Sequence, residues 1–342
     1  MISKKYLEEI NIALNKMDRG FYPDALEDLL EIINNDLFTH LNLKDKLFIK
    51  KRTAWIQLSL GQYEDGWKNF TYNWIKNIKK FEKIKEENNS INYLISLNQI
   101  KKNEKLIIWN DGGYGDYIYQ LRLLKYLERY LSFKIYTTKI DHLLRNKDLI
   151  TRSSKNFNWH LPINEIPRIL NFNPRNNLSF DFDYLIKPSN DYLVYENHVA
   201  LTYKTETSVT KSINYKYLKL LFKDQKNTKF LILQSNINED ERNFFSKFKN
   251  VNYIKNLDNL SVFHDTFHIL NSVRYVISVD TAITHIAGYL GKKNYLLLKN
   301  PSSFYWGFDG KESYDYKNHL LFRQEKSGDW NTVLKKLSKY LN

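Results

Sequence analysis

The chain has 342 residues, of which 42% are hydrophobic and 15% aromatic, so it is long enough for two or three domains with their own cores. It contains no cysteine, which excludes disulfides, thiolate zinc sites and a cysteine nucleophile and is compatible with a reducing cytoplasm. The formal charge is +14, from 52 basic and 38 acidic residues, but the charges are scattered and no nucleic-acid-binding motif accompanies them.

The N-terminal residues, Met1–Glu9, run directly into a charged amphipathic pattern. No apolar stretch approaches the roughly 20 residues that a membrane-spanning helix needs. These features predict a cytoplasmic protein, with peripheral contact at the inner face of the membrane as the alternative. We expect no nucleic-acid partner.

Two similar helical motifs open the chain. Gly20–Leu26 and Gly61–Trp67 share one pattern and begin 41 residues apart. In each, a helix ends at glycine, and the next helix carries a small residue, Ala25 or Gly66, where two helices approach closely. The pattern resembles degenerate tetratricopeptide repeats (TPR), whose usual period is about 34 residues. It predicts a TPR-like helical region over 1–78 that docks on the following domain.

Residues 79–104 differ in composition from their surroundings. Between Lys76 and Lys105 there are eight lysines against four glutamates, with Asn88-Asn89-Ser90 in the middle. Such a charge run predicts a solvated linker, with contact to a membrane surface as the alternative.

From Lys105 onward, short apolar strands alternate with amphipathic helices, which is typical of parallel α/β units. The predicted strands are Leu106–Trp109, Phe133–Thr137, Val199–Tyr203, Phe230–Leu233, Asn252–Ile254, Tyr275–Val279 and Tyr295–Leu298. A less regular, proline-containing region separates the second strand from the third. The pattern predicts two α/β domains, residues 105–195 and 196–342, with a cleft between them.

A glycine-containing loop, Asn110–Asp116, follows the first predicted strand and precedes a helix through Ile118 and Leu127. Parallel sheets bind ligands at the carboxyl ends of their strands, where glycine lets the backbone approach a ligand. The loop lacks the Gly-Lys-Ser/Thr of a P-loop and does not fit the dinucleotide fingerprint. It predicts a binding loop without identifying the ligand.

A second strand-turn-helix pattern spans Tyr275–Gly291, where an apolar strand stops at Asp280-Thr281 and helical spacing begins. The free N–H groups and positive dipole end of such a helix bind anions, and Thr281 and His285 lie one turn apart on one face. A diphosphate suits this position. In the alternative interpretation, Thr281 is only an N-cap, Asp280 a turn residue and His285 a hydrogen-bonded helix residue.

Several segments match a known family in order and spacing. They are Gly113–Asp116 with Arg122, Lys211–Ile213 at the start of a helix, Leu233-Gln234, Asp265-Thr266 before a helix, Asp280–Gly291, Trp306-Gly307, Tyr316, Leu321–Gln324 and Gly328–Trp330. With them the chain resembles glycosyltransferase family 9, the heptosyltransferase-like family, in its branch with N-terminal tetratricopeptide repeats. The resemblance implies an α/β fold with two Rossmann-like domains in the GT-B arrangement, preceded by the TPR-like helices.

The resemblance also implies an activity. The expected protein is an inverting, metal-independent glycosyltransferase that moves a sugar from a nucleotide-diphosphate donor to a saccharide, lipid-linked or protein acceptor. No cofactor beyond that nucleotide sugar is expected. A protein partner bound by the TPR-like helices is a further expectation.

Individual residues acquire roles from the same resemblance. Asp116 is expected to take the proton from the acceptor hydroxyl, with a helix N-cap as the alternative. Lys211, Thr281 and His285 are expected to stabilise the diphosphate, although Lys211 is otherwise a solvated lysine. Gln234 is expected to contact the base or ribose, with a polar strand cap as the alternative. The other predicted binding residues are Gly113, Gly115, Asp280, Gly288 and Arg323.

The chain departs from the pattern of the repeat-bearing branch at three segments. It has Phe304–Gly307 where that branch usually reads Trp-Arg-Trp-Gly, Asp315-Tyr316 where it reads Trp-Tyr, and Tyr203–Thr205 where Trp-x-Gly is expected. Trp306 and Tyr316 are candidates for stacking on a sugar or base, with packing as the alternative. A non-catalytic TPR-type scaffold on a retained GT-B fold is the alternative function.

Two patterns bear on a metal site. Asp181-Phe182-Asp183 has the DxD form that holds a metal–nucleotide pair in another glycosyltransferase architecture, but it lies in an irregular region. His264 and His268 are one turn apart, yet no third ligand is indicated, and we expect them on a helix surface. The sequence therefore predicts no metal site.

Overall fold

The computed structural model describes residues 4–70, 78–176, 184–206 and 208–342. Its α-helices are α1 (Lys4–Asp18), α2 (Tyr22–Asn34), α3 (Asp36–Thr39), α4 (Leu43–Ser59), α5 (Tyr63–Phe70), α6 (Ile78–Glu87), α7 (Tyr114–Leu121), α8 (Leu124–Leu127), α9 (Ile166–Ile169), α10 (Lys219–Asp224), α11 (Glu239–Phe245), α12 (His264–Ser272), α13 (Ala282–Tyr289) and α14 (Trp330–Leu341). Its strands are β1 (Asn92–Tyr93), β2 (Leu106–Trp109), β3 (Phe133–Tyr136), β4 (Ile150–Thr151), β5 (Trp159–Pro162), β6 (His198–Thr202), β7 (Lys229–Ile232), β8 (Val251–Tyr253), β9 (Tyr275–Val279), β10 (Asn294–Leu298) and β11 (His319–Arg323).

The chain forms two compact units. The first contains the described residues of Met1–Thr138, Asn146–Asp181 and Ser303–Phe308, and the second those of Lys139–Arg145, Phe182–Ser302 and Asp309–Asn342. The N-terminal helices therefore share a unit with β1 to β5, whereas β6 to β11 form the sheet of the second unit. Every helix in the described ranges is too short or too polar to cross a bilayer. The predicted domain boundaries stay a prediction.

The sheet of the first unit has five parallel strands among the described residues, in the order β1-β5-β2-β3-β4. From β2 the chain adds β3 and β4 on one side and then β5 on the other side. All four residues of β2 are buried, as expected for a parallel strand with both faces covered. Because the order reverses between β2 and β5, a crevice is expected at their carboxyl ends.

The sheet of the second unit has six parallel strands in the described part of the chain, in the order β11-β10-β9-β6-β7-β8. Counted from β6, this is the 3-2-1-4-5-6 order of nucleotide-binding Rossmann folds. Side chains of α10 and α14, including Phe222 and Leu334, are buried in the core of this sheet. The reversal here lies between β6 and β9. The α/β class with parallel sheets is confirmed.

The seven predicted strands are present, each within one residue of its predicted bounds, and Leu106–Trp109 and Tyr275–Val279 match residue for residue. The structure adds β1, β4, β5 and β11. Of these, β5 lies in the region where prolines indicated irregular structure, and it ends at Pro162. Its pairing is supplied by β2 and β1, which are distant in sequence.

The two N-terminal motifs are repeated in three dimensions. Gly20 (φ +85°) follows α1, and Gly61 (φ +81°) follows α4. The N–H groups of Gly20 and Phe21 donate to the carbonyls of Met17 and Lys16, at 3.0 Å each. Gly61 and its successor form the same pair of bonds, so both helices end in a Schellman motif. The predicted glycine ends are confirmed, and the assignment to the tetratricopeptide class stays a prediction.

The helical region docks on the following part of its unit, as predicted. Trp67, 3% exposed in α5, donates its indole N–H to the carbonyl oxygen of Phe172 over 2.7 Å. A buried indole needs such a partner, because an unsatisfied N–H in the core costs about 1–3 kcal/mol. This bond joins residues that lie 105 positions apart.

The lysine-rich segment 79–104 is more than a solvated linker. It contains most of α6 and all of β1, and Ile84 and Leu94 are 1% and 0% exposed. Lys80 Nζ donates to the carbonyl of Asn110 over 2.9 Å, just beyond the end of β2. Lysine dominates the composition, but the few apolar side chains determine the packing. The expectation of full solvation does not hold for these residues.

Gly20→Ala should lower the free energy of unfolding by about 1–2 kcal/mol, because a Cβ in the left-handed conformation approaches the following carbonyl oxygen. Gly20→Asn should cost less, since asparagine tolerates this conformation. Urea unfolding followed by circular dichroism measures both. Equal losses in the two variants would contradict the explanation.

Candidate active site

A hydrogen bond joins the two connections that follow β2 and β5, at the point where the strand order of the first sheet reverses. The backbone N–H of Asn164, just after β5, donates to Asp111 Oδ1, just after β2, over 3.2 Å. Asp111 is 1% exposed, and burial raises the pKa of its carboxyl group to about 7. Neither Asp111 nor Asn164 was among the residues predicted to form the site. Asp111 could have been found from its position two residues after an apolar strand, whereas no sequence pattern pointed to Asn164.

Asp116 lies in the first turn of α7, beyond the end of β2. The helix begins at Tyr114, so Gly113 is the N-cap, Gly115 the second helical residue and Asp116 the third. The N-cap interpretation of Asp116 is therefore wrong. The Gly113 N–H donates to Asp116 Oδ2 over 3.0 Å, and the positive end of the helix favours a carboxylate at this position.

Tyr305 is the second partner of the Asp116 carboxylate. Its hydroxyl donates to Asp116 Oδ1 over 2.8 Å, and its ring centroid lies 4.3 Å from that of Tyr119 in α7. Burial, reinforced by the charge of Asp116, raises the pKa of Tyr305 well above its usual value. The phenol thus stays protonated and acts as a donor. No sequence pattern linked these residues, which are 189 positions apart.

In the second unit, Lys211 and Asp280 meet at the reversal between β6 and β9. Lys211 Nζ lies 2.6 Å from Asp280 Oδ2. Asp280 follows β9 directly and is 9% exposed. Lys211 ends a 3₁₀ turn, Val209–Lys211, and does not open a helix as predicted; the next helical turn starts at Tyr215. The ion pair neutralises the carboxylate that lies next to the N-terminus of α13.

Helix α13 begins immediately after this ion pair. Thr281 is its N-cap, but the threonine side chain makes no capping bond, and Oγ1 is buried without a hydrogen-bond partner among the described residues. The helix is instead fixed on β9 by Thr284, whose hydroxyl bonds Ser278 Oγ at 2.8 Å and the carbonyl of Val279 at 3.1 Å. A buried polar group without a partner is costly, which makes the Thr281 hydroxyl a candidate for contact with a ligand.

The following turns of α13 are packed against Tyr316. His285 is 3% exposed, and its Nδ1 is hydrogen-bonded to the Tyr316 hydroxyl at 3.1 Å. A Cβ at Gly288 would lie 2.3 Å from the Tyr316 ring, so only glycine fits there. Tyr316 and Trp306 are 4% and 1% exposed, in agreement with the packing interpretation.

Gln234 and Arg323 differ in how they are engaged. Gln234 follows the end of β7 and is 8% exposed, and its Oε1 is buried with no hydrogen-bond partner in the described ranges. Arg323, at the end of β11, donates to Ser302 Oγ (2.8 Å) and to the carbonyls of Asp309 and Gly310 (3.0 Å each). Burial lowers the pKa of Arg323 to about 10. Its guanidinium thus clamps a loop, a role that its position in a matching motif did not reveal.

The metal-related patterns give no site in the described residues, where no group of three or more histidine, cysteine or acidic side chains is placed to hold an ion. Asp181-Phe182-Asp183 lies outside the described residues. The expectation that both histidines lie on a helix surface is wrong for His268, which is 6% exposed and accepts a hydrogen bond from the Ser189 N–H over 2.8 Å. The helical segment predicted to follow Asp265-Thr266 in fact starts at His264.

Among known proteins, no family model and no curated protein matches the chain. The E. coli heptosyltransferase WaaC solved with ADP-2-deoxy-2-fluoro heptose is 12% identical, covers 70% of this chain and 100% of its own, and has a TM-score of 0.44. The glycosyl transferase family 9 protein from Veillonella parvula is 8% identical, with coverages of 69% and 92% and a TM-score of 0.44. The iron-containing dodecameric glycosyltransferase TibC from enterotoxigenic E. coli is 13% identical, with coverages of 71% and 78% and a TM-score of 0.41. At this level of similarity, function has to be inferred from the residues themselves.

His319 provides a pH-dependent test of the packing behind α13. It is fully buried, its Nε2–H donates to the carbonyl of Thr284 over 3.0 Å, and burial lowers its pKa from 6.5 to about 4. Between these pH values the unfolded chain binds more protons at this site than the folded chain. Stability from His319 is therefore complete above about pH 6.5 and is lost as the pH falls towards 4.

At pH 4 the free energy of unfolding should have lost about 3 kcal/mol through protonation of His319. The free energy of unfolding, measured with urea between pH 7 and 4, should fall less steeply with pH in His319→Gln than in the unsubstituted protein. The control His40→Gln, at an exposed position, should show the same pH dependence as the unsubstituted protein. Identical slopes for all three would contradict the assignment.

Proposed function

We propose that the protein is a glycosyltransferase that moves a sugar from a nucleoside-diphosphate donor to an acceptor hydroxyl, with inversion and without a metal ion. The observation that carries this proposal is the second sheet, whose 3-2-1-4-5-6 order brings Lys211, Asp280 and the N-terminus of α13 to its point of reversal. The buried Thr281 hydroxyl at that helix end supports an anionic ligand, since it lacks a partner in the described chain.

The leaving group determines what this site has to supply. As the glycosidic bond breaks, negative charge develops on the diphosphate, and a helix end alone stabilises it by about 0.3–1 kcal/mol, or about 2 when partly buried. The Lys211 ammonium and the Thr281 hydroxyl add to that contribution. His285, one turn further, holds the Tyr316 hydroxyl, so its proposed contact with the diphosphate would have to coexist with that bond.

The acceptor is activated by a base in the first unit. Asp116 takes the proton of the acceptor hydroxyl while the acceptor oxygen bonds to the anomeric carbon and the bond to the diphosphate oxygen breaks. This single displacement inverts the anomeric centre. Asp116 suits the role because it is half-buried in the first turn of α7, on the connection that follows β2 at the reversal of the strand order.

The other parts of the proposal concern binding. Gln234, with its buried side-chain oxygen, is assigned to the base or ribose. Gly113 and Gly115 allow close approach of an acceptor to the first turn of α7. The GT-B class of fold is part of the proposal, as are a saccharide, lipid-linked or protein acceptor and a cytoplasmic location.

Asp116→Asn should abolish sugar transfer and leave donor affinity within about twofold, because the amide keeps the shape of the side chain and loses its basicity. Isothermal titration with ADP, UDP and GDP, followed by transfer assays with the corresponding sugars, measures both properties. Full activity in Asp116→Asn would eliminate the base. Absence of nucleotide binding by the unsubstituted protein would favour the non-catalytic scaffold.

Lys211→Met should weaken nucleoside-diphosphate binding by at least about tenfold, or about 1.4 kcal/mol, since it also exposes the anion to the unpaired charge of Asp280. In the Lys211→Met, Asp280→Asn double variant, part of that loss should be regained. If the second substitution restores nothing, the ion pair does not control the potential at the helix end. Titration of the unsubstituted protein, Lys211→Met, Asp280→Asn and the double variant with the same nucleotide gives the complete double-mutant cycle.

A further inference from the structure

A short segment between β10 and β11 is packed among the N-terminal helices. Residues Ser303–Phe308 belong to the first unit, and Phe304–Trp306 form a 3₁₀ turn. The ring of Phe304 lies edge-on to Trp55 and Trp67, with centroid distances of 5.0 Å and 5.9 Å. Phe304 is only 8% exposed. The rings of Trp55 and Trp67 thus form an aromatic socket that holds the Phe304 side chain.

A second anchor lies at the end of the segment. The backbone N–H of Phe308 donates to the carbonyl oxygen of Ser59, in the last turn of α4, over 2.8 Å. The Phe308 ring centroid lies 5.2 Å from that of Tyr22, the first residue of α2. The helices on either side of Gly20, α1 and α2, form one helical pair, and those on either side of Gly61, α4 and α5, form the other. Both helical pairs therefore contact the segment.

Tyr305 lies between these two anchors and points to the candidate base. Its hydroxyl donates to Asp116 Oδ1, while the Gly113 N–H donates to Oδ2, so each carboxylate oxygen has a fixed donor. Two donors on the two oxygens define the rotation of the carboxylate plane. Burial, followed by the charge of Asp116, raises the pKa of the phenol and so keeps it a donor, and Asp111, beyond the end of β2, contributes least to this shift.

We infer that Tyr305 is a positioning residue for the Asp116 carboxylate, and that the N-terminal helical pairs hold it in place by binding Phe304 and Phe308. The inference rests on the proposed role of Asp116 as the base. It assigns the helices a function inside the transferase, in addition to any protein partner. Arg323 donates hydrogen bonds to Ser302 and Asp309, the residues on either side of this segment. The two ends of the segment are therefore held together by one guanidinium group.

Tyr305→Phe tests the contact with the smallest change. The variant keeps the ring and its packing on Tyr119 but loses the donor to Asp116. We expect kcat to fall by about 10- to 100-fold, the range associated with a misplaced catalytic group, with KM for both substrates within about twofold. Tyr130→Phe, at a 64% exposed position, is the matched control and should retain full activity. An unchanged kcat in Tyr305→Phe would overturn the inference.

Phe304→Ala tests the contribution of the helices. Emptying the socket should lower kcat as Tyr305→Phe does, and combining the two substitutions should add little, because both act through one hydrogen bond. Phe48→Ala, at a 45% exposed position, is the control. If Phe304→Ala fails to fold by circular dichroism, Tyr305→Phe still decides the matter. Full additivity of the two losses would contradict the shared mechanism.

A spectroscopic measurement separates this inference from the proposed function. With tyrosine labelled by ¹³C at Cζ, the Tyr305 resonance is assigned by its loss in Tyr305→Phe. It should shift in Asp116→Asn and also in Phe304→Ala, whether or not the protein transfers sugar. If the resonance is unaffected by Asp116→Asn, the contact does not exist and the inference fails. If it shifts but Asp116→Asn remains active, the proposed base is wrong while the contact is correct.

Discussion

Each parallel sheet reverses its strand order once, and this reversal fixes where a ligand can bind. Connections that leave the two central strands run to opposite faces of the sheet, so they do not cover the strand ends between them. Asp111 and Asn164 meet at this point in the first sheet, and Lys211 and Asp280 meet there in the second. The proposed base and the proposed anion site lie on the connections that start from these points. The location of the proposed site thus follows from the strand order, whereas its chemistry depends on the side chains found there.

Features encoded locally were predictable from the sequence. The strand Tyr275–Val279 and the helix after Asp280-Thr281 were correct because an apolar run and a change of period lie side by side. The helix ends at Gly20 and Gly61 were predicted correctly because glycine readily adopts the left-handed conformation that ends a helix. In contrast, β5 depends on ladder partners far along the chain, and its own residues include a histidine and a proline, which weaken the strand signal.

The sequence identified which residues to examine at the candidate site, but it predicted their contacts less well. Gly288 was expected near the ligand, whereas its lack of a side chain is required by the Tyr316 ring. Arg323 was expected near the nucleotide, whereas its guanidinium is bonded to a loop. The bond between Tyr305 and Asp116 was not predictable, because it connects residues whose local patterns are unrelated. A motif specifies which residues are present but not which neighbours surround them.

The packing of Phe304 between Trp55 and Trp67 also limits how the N-terminal helices can change during evolution. In an ordinary array of helical repeats, each repeat contacts only its neighbours, so that one repeat can change without affecting distant parts of the chain. Here Trp55 and Trp67 enclose a ring that belongs to a loop hundreds of positions later in the chain. Removing α4 or α5 would uncover that ring, so we expect changes in these helices to be accompanied by changes in the distant loop.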